Sequence, residues 1–343
     1  MRNAFDSIIG NNAVCSTLSR AINSNTLAHA YIIEGSTGSG RHTLATRTIA
    51  AISCANKSLS DKPIPCGECR FCKKILENRC SDITHIGLEG DKVSIGVDAI
   101  RFLKGDIYLP PTELGVKAYI INDADAMTIQ AQNAFLLSLE EPPEYVLFFL
   151  ICENSSALLE TVKSRAPILR MEKISASDIE KYIIENEPQA AQLKFSSQNE
   201  FNELICAADG SIGYAISLLD QKKRKGVLEN RRIAREFIDL TSGKHNSEKL
   251  EIISSLGTKR QEICDRLSYI QYALRDLILL KKSEDAPLCF YSDREKACEL
   301  STHFSSKKLL CMFSATEGAI SDLDKNANVR LTLINMLKNS ELI

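Results

Sequence analysis

The sequence predicts an α/β domain with a parallel sheet, followed by regions made of helices. From residue 30 to residue 152, short apolar runs alternate with stretches of helical periodicity. After about residue 170 the strand-like runs stop. Apolar residues make up 44% of the chain and charged residues 25%, which is the composition of a globular protein rather than a disordered or fibrous one.

Three apolar runs mark the central strands of the predicted sheet. They occupy residues 31–33, 119–121 and 146–151, and each is apolar on both faces. Strands of a parallel sheet have this composition because helices cover both faces of the sheet. We therefore expect these runs to lie in the middle of the sheet.

Helical periodicity dominates the chain beyond residue 170, with apolar residues three and four positions apart. Ser177 followed by Glu180 is a capping-box pattern, which predicts the start of the first of these helices. The basic run KKRK at 222–225 indicates a hinge or a solvated helix end. The domains that follow from these changes in pattern are 1–170, 171–222 and 223–343.

Charge and hydropathy argue against two classes of protein. No run of about 18 apolar residues is present, and the first ten residues lack the apolar stretch of a secretory signal, so we expect a cytoplasmic protein with no membrane partner. Lys and Arg number 42 against 44 for Asp and Glu, whereas nucleic-acid-binding domains usually carry a basic excess. Any contact with DNA must be local or shared with partners.

A glycine-rich loop, GSTGSGRHT at residues 35–43, follows the first predicted strand and opens a helix. The spacing of Gly35, Gly38 and Gly40 fits a phosphate-binding loop, in which N–H groups at a helix amino terminus bind phosphate. Glycines alone could form a plain strand-to-helix turn, but the flanking strand and helix favour the phosphate loop. The first domain is therefore predicted to have a P-loop fold.

The positions that would handle magnesium and the outer phosphates are altered. A working P-loop ends in Gly-Lys-Ser/Thr, whereas Arg41 and His42 follow the last glycine here and Thr43 is displaced by one residue. The acid expected after the next buried strand is replaced by Asn122, with Asp123 following. Arginine can still pair with phosphate, but imidazole is a poor ligand for Mg²⁺ and an amide lacks the carboxylate charge. We expect ATP and Mg²⁺ not to be bound productively.

Five of the 12 cysteines fall within one short segment. Cys66, Cys69 and Cys72 follow one another with two residues between them, while eleven residues separate Cys54 from Cys66 and seven separate Cys72 from Cys80. Four thiolates at this spacing predict a tetrahedral, structural Zn²⁺ site, and reduced cysteines without a metal are the alternative. Spacing alone leaves Cys54 or Cys80 as the fourth ligand.

Several segments together resemble the bacterial clamp-loader ATPases, which are AAA+ proteins. They are FDSIIG at 5–10, LAHAYIIEG at 27–35, the cysteine knuckle, NAFLLSLEEPPE at 133–144 and KSRAPI at 163–168. The resemblance covers about the first 170 residues. It implies an AAA+ P-loop domain with an inserted zinc knuckle at about 54–80, then a small helical lid domain and an all-α collar domain for assembly.

Within this family the chain resembles the delta-prime subunits rather than the gamma/tau ATPases, which are expected to keep a Lys-Thr loop and an Asp-Glu pair. Gly213 stands where the resemblance places a second sensor arginine. The resemblance also favours one set of zinc ligands, with Cys80 as the alternative to its first member: Cys54, Cys66, Cys69 and Cys72.

The segment Ser164-Arg165-Ala166 resembles a Ser-Arg-Cys motif whose arginine points at the ATP of a neighbouring subunit. Without the resemblance, a Ser-Arg pair is more often part of a surface ion pair. The implied function is that of a non-hydrolysing component of the DNA polymerase III holoenzyme that supplies Arg165 in trans. Its implied partners are the delta and gamma/tau subunits, and the assembled loader would place the beta sliding clamp on primed DNA.

Two other functions are compatible with the residues. An active gamma/tau-like ATPase would bind nucleotide with Arg41 and Thr43 and bind the metal with Asp123. A zinc-dependent DNA-binding protein would use the knuckle and the basic run at 222–225. ATP turnover by the isolated chain would favour the first, and salt-sensitive DNA binding would favour the second.

Overall fold

The computed structural model describes most of the chain, namely residues 5, 8–57, 64–88, 90, 92–242, 256–283 and 285–340. Parts of three sequence-derived segments lie outside the described residues: Asp6 and Ser7 of FDSIIG, residues 58–63 of the knuckle, and 243–255, 284 and 341–343 of the collar.

Contacts within the chain divide it into two units. One unit comprises residues 1–179 and 210–214, and the other comprises 180–209 and 215–343. The three-domain division made from the sequence stays a prediction.

The first unit contains a five-stranded sheet whose strand pairs are all parallel, as the sequence predicted. Its strands, in chain order, are β1 (Ala30–Glu34), β2 (Ile83–Ile86), β3 (Lys117–Ile121), β4 (Val146–Cys152) and β5 (Ile168–Arg170). Side by side the order is β2-β3-β4-β1-β5. The three predicted central strands therefore lie next to one another, and every residue of β3 and β4 is buried.

Helices cover both faces of this sheet. They are α1 (Asn12–Asn23), α2 (Arg41–Ile52), α3 (Arg70–Leu76), α4 (Val97–Asp106), α5 (Ile129–Glu140) and α6 (Glu160–Lys163). One apolar core joins α1, α2 and α3 to the face that carries Ile33 and Phe149. A second core joins α4 and α5 to the face that carries Ile32 and Phe148, because successive strand residues point to opposite faces.

The described chain beyond β5 is helical, as predicted. Its helices are α7 (Ala176–Asn186), α8 (Pro188–Ser196), α9 (Gln198–Ala207), α10 (Ile212–Ser217), α11 (Gln221–Ser242), α12 (Arg260–Leu280), α13 (Arg294–Thr302), α14 (Ser306–Asp324) and α15 (Val329–Asn339). Over the residues that the structure describes, none of the helices is both long enough and apolar enough to cross a membrane.

The start of α7 differs from the predicted capping box. Ser175 Oγ accepts the N–H of Asp178 at 3.2 Å, so Ser175 caps the helix and Ser177 lies inside it. The Ser177–Glu180 assignment is therefore wrong. Ser175 also has an acid three residues later, Asp178, so it fits the same capping pattern.

A buried ion pair lies in the core of the second unit. Arg231 on α11 is 2% exposed, and its Nε lies 2.9 Å from Glu203 Oε2 on α9. Its Nη2 donates to the carbonyl of Phe290, while Arg235 also donates to Glu203. Burial raises the pKa of Glu203, but the two guanidinium groups outweigh it and lower the pKa below its usual value. These bonds join α9, α11 and the segment before α13.

Asp276 fixes the same segment from α12. Its side chain is fully buried, and its carboxylate accepts the N–H groups of Cys289, Phe290 and Tyr291 at 3.0, 2.7 and 3.2 Å. Three backbone donors that lack a helix or strand partner are satisfied in this way. The conformation of the segment therefore depends on one carboxylate.

Replacing Asp276 with Ala should destabilise the second unit by about 3 kcal/mol or more, because buried N–H groups lose their acceptor. Asp276→Asn keeps an acceptor oxygen and should cost less. Urea denaturation measures both, with Asp322→Ala on the exposed face of α14 as the control. Equal unfolding midpoints for Asp276→Ala and the control would contradict this role.

Candidate functional site

The glycine-rich loop joins β1 to α2. Gly38 and Gly40 have φ angles of 77° and 94°, a region that L side chains rarely adopt. The N–H of Ser39 donates to the carbonyl of Ser36 at 3.1 Å, and α2 begins at Arg41. Strand, tight glycine turn and helix thus follow one another in the arrangement that a phosphate loop requires.

A carboxylate of the chain itself lies against this loop. Glu153, the first residue after β4, accepts a hydrogen bond from Thr37 Oγ1, and its Oε1 lies 4.0 Å from Nη2 of Arg41. Asp125 Oδ2 accepts the N–H groups of Glu153 and Asn154 at 2.9 and 3.3 Å and so holds the backbone behind this side chain. Arg41, which the sequence offered to phosphate, therefore faces an internal anion.

Sequence reasoning did not single out Glu153. Its only signal is an acid directly after the buried run VLFFLIC, at the end of a strand that pairs with β1. An acid at that end of a parallel sheet lies near the loops that follow the neighbouring strands.

A second segment contacts the loop through its backbone. The N–H of Gly213 donates to the carbonyl of Gly38 at 3.0 Å, and Ser211 Oγ donates to the carbonyl of Thr37 at 3.0 Å. A Cβ added at Gly213 would lie 2.9 Å from the Cα and carbonyl oxygen of Gly38. The family resemblance places an arginine at position 213, but with this backbone arrangement only glycine fits there.

The other predicted nucleotide-binding residues lie around the same edge of the sheet. His42 and Thr43 are exposed in the first turn of α2, and Nε2 of His42 lies 3.5 Å from Nδ1 of His85 on β2. Asn122 and Asp123 follow β3, which neighbours β4, and Asp123 adopts a positive φ of 50° at the start of a short 3₁₀ turn, Ala124–Ala126.

Four cysteines come together after α2 and at the start of α3. The Sγ atoms of Cys54, Cys66, Cys69 and Cys72 all lie within 4.8 Å of one another, and those of Cys66 and Cys72 are 4.0 Å apart. Four thiolates bound to zinc at about 2.3 Å would be about 3.8 Å apart, so the residues fit a tetrahedral Zn²⁺. Cys80, the other candidate, lies outside this group.

Backbone N–H groups point at two of these sulfurs. Cys69 donates to Cys66 Sγ at 3.3 Å, and Cys72 donates to Cys69 Sγ at 3.5 Å. Burial raises the pKa of Cys66, but the N–H groups of Cys69 and Glu68 and neighbouring thiols lower it to about 6. The pKa of Cys69 is also lowered, whereas burial raises the pKa of Cys54 and of Cys72. The thiolate form is thus favoured in Cys66 and Cys69 and disfavoured by burial in Cys54 and Cys72.

Arg165 lies just before β5 with its side chain 34% exposed. Its Nη2 lies 2.8 Å from Oε1 of Glu140, which belongs to the LEEPPE segment at the end of α5. Its Nη1 donates to the carbonyl of Thr161 at 2.9 Å and to Ser164 Oγ at 3.3 Å. The guanidinium is therefore held at the surface by contacts within its own chain.

The basic run at 222–225 forms the first turn of α11, as a solvated helix end would. Lys222, Lys223 and Lys225 are exposed. Arg224 instead donates to the carbonyls of Leu218 and Leu219 and pairs with Glu200 at 3.4 Å. One of the four cations is thus engaged within the second unit.

Comparisons with known proteins agree on one group. The profile of the family described as "DNA polymerase III, delta subunit" matches residues 10–175. The DNA polymerase III subunit tau of Bacillus subtilis is 27% identical over 290 residues, which cover 81% of this chain and 50% of that protein. The subunit gamma/tau of Mycoplasma genitalium is 32% identical over 220 residues, which cover 63% of this chain and 35% of that protein.

The shared length and one solved structure describe these similarities further. The chain spans about half the length of the first of these curated relatives. A solved structure of a DNA polymerase III gamma subunit-related protein from Thermotoga maritima shares 20% identity at a TM-score of 0.40, covering 95% of this chain and 98% of that chain. The sequence matches show that the chain is similar to subunits of DNA polymerase III, over its first half for the delta-subunit family and over 63–81% of its length for the tau and gamma/tau subunits.

Proposed function

We propose that the chain is a non-hydrolysing, delta-prime-type subunit of the DNA polymerase III clamp loader in the cytoplasm. It helps to load the beta sliding clamp on primed DNA, and it presents Arg165 to the ATP of a neighbouring gamma/tau-type subunit. The delta subunit is a further partner. The observation that carries the proposal is that Glu153 and Gly213 of the chain itself contact the phosphate loop.

Electrostatics at the loop disfavour a nucleotide. Two like charges 4 Å apart repel by about 1 kcal/mol in water and by about 4 kcal/mol at an effective dielectric constant of 20. A triphosphate brought to the loop would meet the Glu153 carboxylate and would compete with it for Arg41, whose side chain is 10% exposed. Binding therefore requires a rearrangement of Glu153.

Magnesium chemistry is disfavoured as well. Mg²⁺ prefers oxygen ligands in octahedral geometry, and the position that normally supplies a hydroxyl holds His42, next to another imidazole. The carboxylate of Asp125, close to Asn122 in sequence, accepts two backbone N–H groups. These features support a P-loop domain that no longer hydrolyses ATP.

Arg165 is suited to act on a neighbouring subunit because its ion pair with Glu140 contributes little free energy. A partly exposed ion pair such as Arg165 with Glu140 is worth about 0–1 kcal/mol, whereas an arginine supplied in trans contributes about 10³–10⁵-fold to phosphoryl transfer. Exchanging Glu140 for the developing charge on a γ-phosphate is therefore favourable. The helical residues 171–222 and 223–343 would serve as the lid and as the collar that joins the ring.

The four-cysteine group would hold a structural Zn²⁺. Bound there, the metal supplies a cross-link with no open coordination position. Cys54 follows α2, whereas Cys69 caps α3 and Cys72 lies within it. The thiolates of these residues thereby hold the two helices together at one end.

An active ATPase is the alternative that the similarity to gamma and tau subunits supports. In that case Arg41 and Thr43 would bind phosphate and Asp123 would bind the metal. The two functions differ in what the isolated chain does with ATP.

The isolated chain should not hydrolyse ATP above background, and Glu153→Gln should bind ATP about tenfold more tightly than the wild type, because a like charge is removed. Nucleotide affinity by calorimetry and phosphate release measure these effects. Glu160→Gln, an exposed acid on α6, is the matched control. Turnover by the wild type that disappears in Arg41→Ala would establish the ATPase alternative instead.

Arg165→Ala in a reconstituted loader should slow hydrolysis of the ATP that Arg165 faces by about 10³-fold or more. The total ATPase rate of the loader should then fall by the fraction that this one site contributes. Steady-state ATP turnover with clamp and primed DNA measures this, with assembly checked by gel filtration. Arg101→Ala, which breaks a similar exposed pair with Asp98, is the control. An intact complex with the wild-type rate would show that Arg165 is structural.

The purified chain should contain one equivalent of zinc, and Cys66→Ser should lose it because three thiolates no longer close the site. Cys80→Ser should retain the metal. Elemental analysis and a thermal melt with and without a chelator measure both. Less than about half an equivalent in the wild type, or loss of zinc in Cys80→Ser alone, would refute this ligand set.

A further inference from the structure

Two histidines lie side by side near the start of α2, and the proposed function leaves their contact unused. His42 is the second residue of α2 and His85 lies on β2, and both are partly exposed to solvent. Nε2 of His42 is 3.5 Å from Nδ1 of His85. The ring planes differ by only 17° and their centroids are 5.2 Å apart.

The outer nitrogens of both rings have oxygen partners. Nε2 of His85 lies 2.9 Å from Oδ1 of Asn78, and an amide oxygen can only accept, so this nitrogen carries the proton. Nδ1 of His42 lies 3.4 Å from Oγ1 of Thr46, which can accept a proton in the same way. In that arrangement the two inner nitrogens both present lone pairs to each other, and a cation between them satisfies both.

The geometry also suits a metal. Two nitrogens bound to one tetrahedral zinc at about 2.0–2.1 Å lie about 3.3–3.4 Å apart, close to the observed 3.5 Å. Histidines that bind metals usually donate their other N–H group to an oxygen, as His85 does to Asn78. Burial lowers the pKa of both rings, and for His85 the neighbouring His42 adds to this, which favours the neutral form of imidazole that binds metals.

We propose that Nε2 of His42 and Nδ1 of His85 bind one divalent transition-metal ion, with water completing its coordination. Imidazole nitrogen suits Zn²⁺, Ni²⁺ and Cu²⁺, whereas Mg²⁺ prefers oxygen. The ion would join the amino-terminal turn of α2 to β2, at the position where a working phosphate loop holds its magnesium ligand. The site is separate from the four-cysteine group and does not depend on the proposed function.

Titration with Ni²⁺ tests the proposal in full-length protein that holds one equivalent of zinc, which a site of four thiolates binds before a site of two imidazoles does. Calorimetry should find one equivalent of Ni²⁺ in the wild type. Affinity should fall at least tenfold in His42→Ala and in His85→Ala, and the double variant should be no weaker than either one. Asn78→Ala should weaken binding by about 10–100-fold, because the second-shell bond to His85 is lost. His303→Ala, an exposed histidine of the second unit, should bind as the wild type does.

Three results would overturn the proposal: no Ni²⁺ binding by the wild type, wild-type affinity in the two single variants, or additive losses in the double variant. In the first case the rings share a proton, with Nε2–H of His42 donating to His85. Broadening of the His42 and His85 imidazole signals by Ni²⁺ in the wild type gives a second readout that needs no variant to fold. Broadening confined to other histidines also counts against the site.

Discussion

The parallel direction of the five strands determines where the phosphate loop and the residues around it lie. Because the strands point the same way, the segments that follow β1, β3 and β4 leave the sheet at one edge. Thr37 and Glu153 meet there although they are 116 residues apart in the sequence. The register of β1 and β4, with Glu34 beside Cys152, sets that contact. A reversed β4 would carry Glu153 to the opposite edge.

The charge of Arg41 at the phosphate loop is balanced within the chain. Arg41 is largely buried, and a buried guanidinium without a counter-charge is costly. In a working loop the phosphates supply that charge. Here Glu153 supplies it, and Asp125 holds the backbone of Glu153 in place. The backbone hydrogen bond from Gly213 to Gly38 further restrains the conformation of the loop.

Much of the fold followed from the sequence because its signals are local. Runs that are apolar on both faces indicated the central strands. Cysteine spacing indicated three of the four thiols that meet, and the family resemblance favoured Cys54 as the fourth. Ser175 was missed because Ser175 and Ser177 each precede an acid by three residues. The sequence pattern is the same for both, and the structure shows that Ser175 is the cap. Glu153 and the His42–His85 pair were missed for a different reason. Their partners come from other strands and helices, and a single sequence carries no record of such pairings.

The buried pair of Arg231 with Glu203 has a consequence for how the chain can be divided. Glu203 lies before residue 222, whereas both arginines that neutralise it come from α11. A fragment ending at 222 would keep a largely buried carboxylate and lose its counter-charges, and a fragment starting at 223 would keep a buried guanidinium without its acid. Recombinant pieces cut at that point would each contain an orphaned charge, so a stable fragment has to keep α9 and α11 together.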